Sequence, residues 1–127
     1  MPDTSPAALG PDAKLALAFL DAMGARRLEE ATAMTAPGFV MVFPGGKVFT
    51  DWPALLAWAA PRYRRIEKVI ERVEEAPGAV YVSGTLQGER PDGAPFAGVR
   101  FIDRFEVAGG QILRQEVWND LGELGIA

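Results

Sequence analysis

From Ala79 to Asp120 the chain consists of alternating runs joined by short turns: AVYVSGTLQG, the link RPDGAP, FAGVRFIDRFEV, the link AGG, and QILRQEVWND. Alternation sends successive side chains to opposite faces, and links this short and rich in glycine join neighbouring strands antiparallel. The last third of the chain is thereby committed to consecutive antiparallel strands. Whatever precedes them has to cover one face of that sheet.

The upstream segments suit that task. A helix is predicted from Pro11, which is tolerated in a first turn, with Asp12 at the positive end of the helix dipole, running through AKLALAFLDAM to Gly24. Leu15, Phe19, Ala22 and Met23 form its apolar side, widened by Leu17 and Leu20. A second short helix fits Leu28 to Ala36, stopped by Pro37 and Gly38, and Phe39 to Phe43 reads as a strand between turn residues. PGGKVF reads as a turn. A third helix opens at TDWPALLAWAAPRY, with Thr50 as N-cap and Pro53 in its first turn, and ends by Pro61.

RRIEKVIERVEEA is ambiguous. Ile66, Val69, Ile70 and Val73 fall at helical spacing, yet all four are β-branched and favour strands. Taken alone, the spacing leans towards a helix. The order of elements, helices followed by a strand, a helix and a run of antiparallel strands, is an α+β layout with helices over one face of a curved sheet.

Composition removes whole classes of chemistry. With 127 residues, 49% of them hydrophobic, the chain can close a single core, read as one domain over 11–127 behind a flexible lead-in, 1–10. Cysteine and histidine are both absent, so thiol nucleophiles, disulfides and thiolate zinc sites are excluded. Proton transfer falls to carboxylates, tyrosine, lysine or bound water. A net charge of -4 and a pI near 4.8 argue against a nucleic-acid partner. The basic cluster Arg62, Arg64 and Arg65, beside Glu67, Glu71, Glu74 and Glu75, reads as a salt-bridged surface. MPDTSPAALG has neither a basic start nor a long apolar stretch, and no later run is suited to a bilayer, so a soluble cytoplasmic protein with no membrane partner is the expectation.

Two helices, FVMVFPGG, a third helix and RFIDRFEVAGGQILRQEVWND together resemble the nuclear transport factor 2-like superfamily, in particular its SnoaL-like polyketide cyclases and ketosteroid isomerases. The resemblance spans roughly residues 11 to 122. It implies a cone-shaped, strongly curved antiparallel sheet wrapped around about three N-terminal helices, a pocket at the wide end, and frequent dimerisation through the outer sheet face. It also turns the segment from Ile66 to Glu75 into a long curved strand.

On that fold one residue stands out. Phe101, Asp103 and Phe105 share a strand face, so Asp103 points into the cone with two phenylalanines. A carboxyl group in such a place needs a partner or becomes neutral. Asp103 resembles the aspartic acid that ketosteroid isomerases keep neutral as a hydrogen-bond donor to an oxyanion, a case well known in enzymology. It is the candidate catalytic residue, as an acid or hydrogen-bond donor. The other isomerase positions do not carry over: Phe43 stands where the resemblance places the general base and Phe19 where it places the tyrosine. The Asp-Arg-Asp arrangement of limonene epoxide hydrolases is broken too, because Arg100 and Asp103 face opposite ways.

Candidate ligand-lining residues are Phe19, Phe39, Met41, Phe43, Trp58, Tyr63 and Phe101, joined on the last strand by Gln115, Val117 and Asn119. Gln115 and Asn119 are the expected neutral partners of Asp103, with Tyr81 or a backbone donor as structural alternatives. Asp120 reads as a strand-end cap. Outward, Ile102, Arg104, Arg114, Glu116 and Trp118 form a face suited to a homodimer, in which opposite charges on adjacent strands pair. The expected function is a pocket protein for a modest-sized, largely apolar organic molecule, with isomerase, lyase or cyclase chemistry open to it and no metal or cofactor. The alternative is a non-catalytic dimeric interaction or ligand-binding domain whose cone is filled by its own side chains.

Overall fold

The computed structural model describes residues 9–126, so that most of the expected flexible lead-in lies outside the described residues. The elements are α1 (Pro11–Gly24), α2 (Leu28–Ala33), β1 (Thr35–Phe43), β2 (Lys47–Phe49), α3 (Trp52–Ala59), β3 (Arg65–Ala76), β4 (Ala79–Glu89), β5 (Pro95–Ala108), β6 (Gln111–Asn119) and a closing 3-10 turn, Leu121–Leu124. The strands form one curved, unclosed sheet in the order β2-β1-β6-β5-β4-β3. All neighbours are antiparallel except β1 and β6, which run parallel, so the sheet is mixed where a purely antiparallel one was expected. The reason is connectivity. Strands β3 to β6 are joined by short links that force antiparallel pairing, whereas β1 reaches β6 from the far end of the chain and is under no such constraint.

Helix α1 has the predicted bounds, with Pro11 in its first turn and Asp12 at its positive end. Its small buried residues Ala13 and Ala16 allow close approach to the sheet, and Phe19 is fully enclosed. Phe101, Phe105, Val80, Val82 and Ile112 supply the sheet side of the same core. Burying each of these apolar side chains contributes about 1.5–3 kcal/mol. The residues next to α1 are also held. Leu9 is buried and the Gly10 amide donates to Glu75 Oε2 at 3.2 Å, which ties the start of α1 to β3.

Several boundaries differ from the sequence reading. Helix α2 stops at Ala33, because the Ile112 amide donates to the Met34 carbonyl and draws the chain into the sheet. Pro37 and Gly38 consequently lie inside β1, within a shift of register between Thr35 and Val40, where a residue lacking an N–H is tolerated. At α3 the cap is Asp51 and not Thr50: its carboxylate accepts from the Ala54 amide at 2.8 Å. PGGKVF is only in part a turn, since Lys47–Phe49 forms the short edge strand β2.

The segment Arg65–Ala76 is a strand throughout. It pairs with β4 along its length, with an irregularity between Ile70 and Arg72. Gly84 and Gly88 on β4 make room for it. A Cβ at Gly88 would lie 1.9 Å from the Arg65 carbonyl oxygen, so the β3 backbone occupies the space that a β4 side chain would otherwise fill. This close approach bends β3 over the concave face.

Candidate functional site

Alternation along β5 buries Phe101, Asp103 and Phe105 together and leaves Arg100 and Ile102 outside, as the sequence pattern requires. Asp103 sits opposite Val82 on β4 and Val117 on β6. It is completely shielded from solvent, as is Gln115, and among the described residues these are the two fully buried polar side chains in the core.

The partner of Asp103 was not foreseen. Lys68, on the bent strand β3, donates from Nζ to Asp103 Oδ2, and its ammonium lies 5.0 Å from the centre of the Phe101 ring. Gln115 Nε2 approaches the same Oδ2 at 3.5 Å, the outer limit of a hydrogen bond. Asn119 and Tyr81 do not take part. Asn119 lies opposite Phe101, and its Oδ1 accepts from the Leu121 amide at 3.1 Å, so it caps the closing turn. Tyr81 is on the outer face, where its hydroxyl accepts from Arg104 Nε at 3.2 Å. Asp120 pairs with Arg100 at 2.6 Å, and it is Asn119 that caps with its side chain.

The aromatic candidates divide into two groups. Phe19 packs edge-on against Phe39 at 5.6 Å and Phe105 at 5.9 Å, with Trp52 tilted at 6.1 Å. Phe43 and Trp58 instead form a second cluster with Phe49, at centroid distances of 5.3 to 5.8 Å. Arg62 lies 4.0 Å over the Trp58 ring and donates to the Ile126 carbonyl, tying the buried end of the described chain to α3. Tyr63 is largely buried. Loss of solvation raises its phenol above the ordinary value of 10.0, against the opposing pull of Arg26 and Arg62.

An open cavity of about 470 Å³ lies where the start of β1 meets α2 and the N-terminus of α3. Phe39 and Met41 line it, and Trp52, Pro53, Thr32, Thr35 and Asp51 complete much of its wall. Two of its hydroxyl groups are engaged in holding the wall: Trp52 Nε1 donates to Thr32 Oγ1 at 2.8 Å and Thr35 Oγ1 to the Thr32 carbonyl at 2.7 Å. That leaves a mostly apolar surface. Met41, almost wholly buried, is the register partner of Gln115 across β1 and β6, and Gln115 in turn approaches Asp103. A smaller hollow of about 120 Å³ takes in Phe43, Val117 and Trp118.

The outer face carries an ion-pair network. Arg104 Nη1 donates to Glu106 at 2.8 Å and to Glu116, its cross-strand neighbour, at 3.0 Å. Ile102 and Trp118, also cross-strand partners, stand exposed beside it. In the Arg62 to Arg65 cluster, Arg65 pairs with Glu67 and Glu89, whereas Arg64 donates to the Pro91 carbonyl. Among the described residues no group of three carboxylates is placed to hold a metal ion, and no helix is long and apolar enough to cross a membrane.

Sequence features that would have pointed to Lys68 are weak. It lies two residues from the partly buried Ile66 on the same face of β3, but a lysine in that place blurs an apolar pattern and does not announce itself.

Comparison with known proteins agrees with this geometry. No curated protein matches the chain. Among solved structures, TerC co-crystallised with polyporic acid superposes with a TM-score of 0.81 at 18% identity, covering 91% of this chain and 96% of TerC. A candidate SnoaL-like polyketide cyclase from Jannaschia sp. gives 0.78 at 23% identity, covering 100% of this chain and 96% of its own. An NTF2-like protein of unknown function from Burkholderia pseudomallei gives 0.78 at 16%, covering 91% and 95%. These likenesses establish the α+β cone. The SnoaL-like domain model matches residues 16–115, and the chain belongs to that family.

Proposed function

We propose that this chain is a small-molecule pocket protein of the SnoaL type, taking a modest-sized, largely apolar organic compound into the cavity beside β1, with Asp103 as the polar group at its inner end. The observation that carries the reading is the register of Met41 with Gln115. It places the lining of a 470 Å³ apolar cavity one strand from the amide that approaches a buried carboxyl group. A mostly apolar hollow with a few convergent polar groups is the usual form of a ligand site. TerC, of similar fold, was crystallised with an organic compound, polyporic acid, which supports a ligand of that general kind.

Asp103 then serves to hydrogen-bond the ligand or to exchange a proton with it, with Gln115 orienting the carboxyl group. Chemistry of that type covers isomerisation, elimination and ring closure. The substitution of Phe43 and Phe19 at the isomerase positions speaks against steroid isomerisation by the familiar mechanism. The outer face supports a second element of the proposal, a homodimer centred on Ile102 and Trp118 and rimmed by Arg104, Arg114 and Glu116.

The test is chemical-shift mapping of the whole chain against a panel of hydrophobic carbonyl and hydroxyl compounds. The expected result is a set of perturbations at Phe39, Met41, Trp52 and the Gln115 side-chain amide. Perturbations confined to the outer sheet face, or none with any compound, would replace the pocket reading by that of an interaction domain with a self-filled cone.

A further inference from the structure

Among the described residues two interior oxygens receive no hydrogen bond: Asp103 Oδ1 and Gln115 Oε1, each on a side chain fully shielded from solvent. The imbalance at Asp103 is specific. Both protein donors, Lys68 Nζ and Gln115 Nε2, go to Oδ2, and Oδ1 is left without one. Buried acceptors are almost always paired, so two on adjoining side chains define a place for a donor.

What donor fits depends on Lys68. An ionised carboxylate only accepts hydrogen bonds, whereas a protonated one would present a donor of its own. Lys68 brings an ammonium onto the carboxyl group, and β3 is bent over Gly84 and Gly88 so that it reaches. Charge-assisted pairing of this kind stabilises the ionised form. A carboxylate paired in this way is an accepting group, the reverse of the neutral, donating aspartic acid that the sequence resemblance implies.

We propose that Lys68 is a positioning residue that holds Asp103 as a carboxylate and thereby makes the site selective for an apolar molecule bearing a hydroxyl group, as an alcohol, enol or phenol. Such a hydroxyl donates its one proton to Asp103 Oδ1. A carbonyl or ether on the same skeleton leaves that oxygen unpaired and is rejected, as sites built around buried polar groups reject ligands that lack the matching group. This inference rests on the pocket reading above.

The experiment compares 2-naphthol with 2-methoxynaphthalene by calorimetric titration of the full chain. The wild type should bind the naphthol at least tenfold more tightly. Lys68→Met should bring the two close to parity, and Lys68→Arg should keep the preference, which a purely structural lysine would not dictate. Equal binding by the wild type, or an undiminished preference in Lys68→Met, overturns the role of Lys68 while leaving the pocket in place. Absence of binding by either compound overturns the pocket reading and this inference together. Should Lys68→Met not fold, the carboxyl carbon resonance of Asp103 in the unaltered chain at neutral pH decides: an ionised carboxylate is expected, and a protonated one overturns the proposal.

Discussion

Gly84 on β4 and Val69 on β3 are in steric contact through the backbone alone: a Cβ added to Gly84 would lie 2.0 Å from the Val69 carbonyl oxygen and 2.9 Å from the Glu71 amide nitrogen. The close passage lies beside the irregularity in β3 and is what lets that strand lean inwards. Gly84→Ala should therefore lower stability by about 1–3 kcal/mol, the range for forced overpacking. Gly24→Ala, at the end of α1 with nothing within 4 Å, is the control and should change little. Urea denaturation of both variants is the measurement. Equal midpoints for Gly84→Ala and the wild type would show that the bend does not depend on this glycine.

The same irregularity explains why β3 resembles a helix in sequence. Ile66, Lys68 and Ile70 pair with Gly88, Leu86 and Gly84, and after the extra residue the phase resumes with Val73 opposite Val82. Ile66, Ile70 and Val73 thus recur at intervals of four and three, which is helical spacing, although the chain is extended. The inward residue between them is a lysine, so an apolar pattern passes over it. Alternation on β5 and β6 was plain because those strands are regular around Asp103, and the inward turn of Phe101, Asp103 and Gln115 could be read directly. Asn119 also has the right parity to face inwards, but the closing turn at Leu121 claims its side chain, a local capping bond that parity does not register.

The N-terminus of α3 offers a clean comparison of neighbouring residues. Asp51 accepts from the Ala54 amide, whereas Thr50 makes no corresponding capping bond. Asp51→Ala is expected to cost about 0.5–2 kcal/mol. Thr50→Ala should fall within about 0.5 kcal/mol of the wild type, as surface changes usually do. Thermal unfolding of the two variants distinguishes the caps; a larger loss at Thr50 would mean that the cap has been assigned to the wrong residue.

Tyr63 links burial to alkaline stability. Its phenol is raised above 10.0 by burial, so on going to high pH the unfolded chain releases this proton first. The folded state then binds more protons, and stability falls as pH rises. The contribution is fully present below the ordinary phenol value and is lost as pH climbs through the folded one. Absorbance titration near 295 nm should show one of the two tyrosines ionising late, and Tyr63→Phe should remove that late step together with its share of the alkaline loss. A Tyr63→Phe variant that keeps the late step would refute the assignment.

The proposed dimer face can be tested without knowledge of the ligand. Trp118 is 52% exposed and Ile102 47%, and they are cross-strand partners on the convex side. If this patch joins two copies, Trp118→Glu should shift the protein from dimer to monomer in sedimentation velocity at micromolar concentration. The Arg104 and Glu116 pair should remain, since it is formed within one chain. A monomeric wild type would dispose of the homodimer.

The parallel pairing of β1 with β6 also orders events during synthesis. Met41 and its partner Gln115 are 74 positions apart, whereas the β5 to β6 hairpin turns within the pair Gly109 and Gly110. Contacts closing so large a loop form late relative to local hairpins. While the ribosome is still making β5, β1 has only the short edge strand β2 beside it, and Phe39 and Met41 lack the neighbour that β6 will supply. The chain's most apolar early strand waits for its last one, which makes the nascent state, rather than the finished fold, the point at which this protein is open to aggregation.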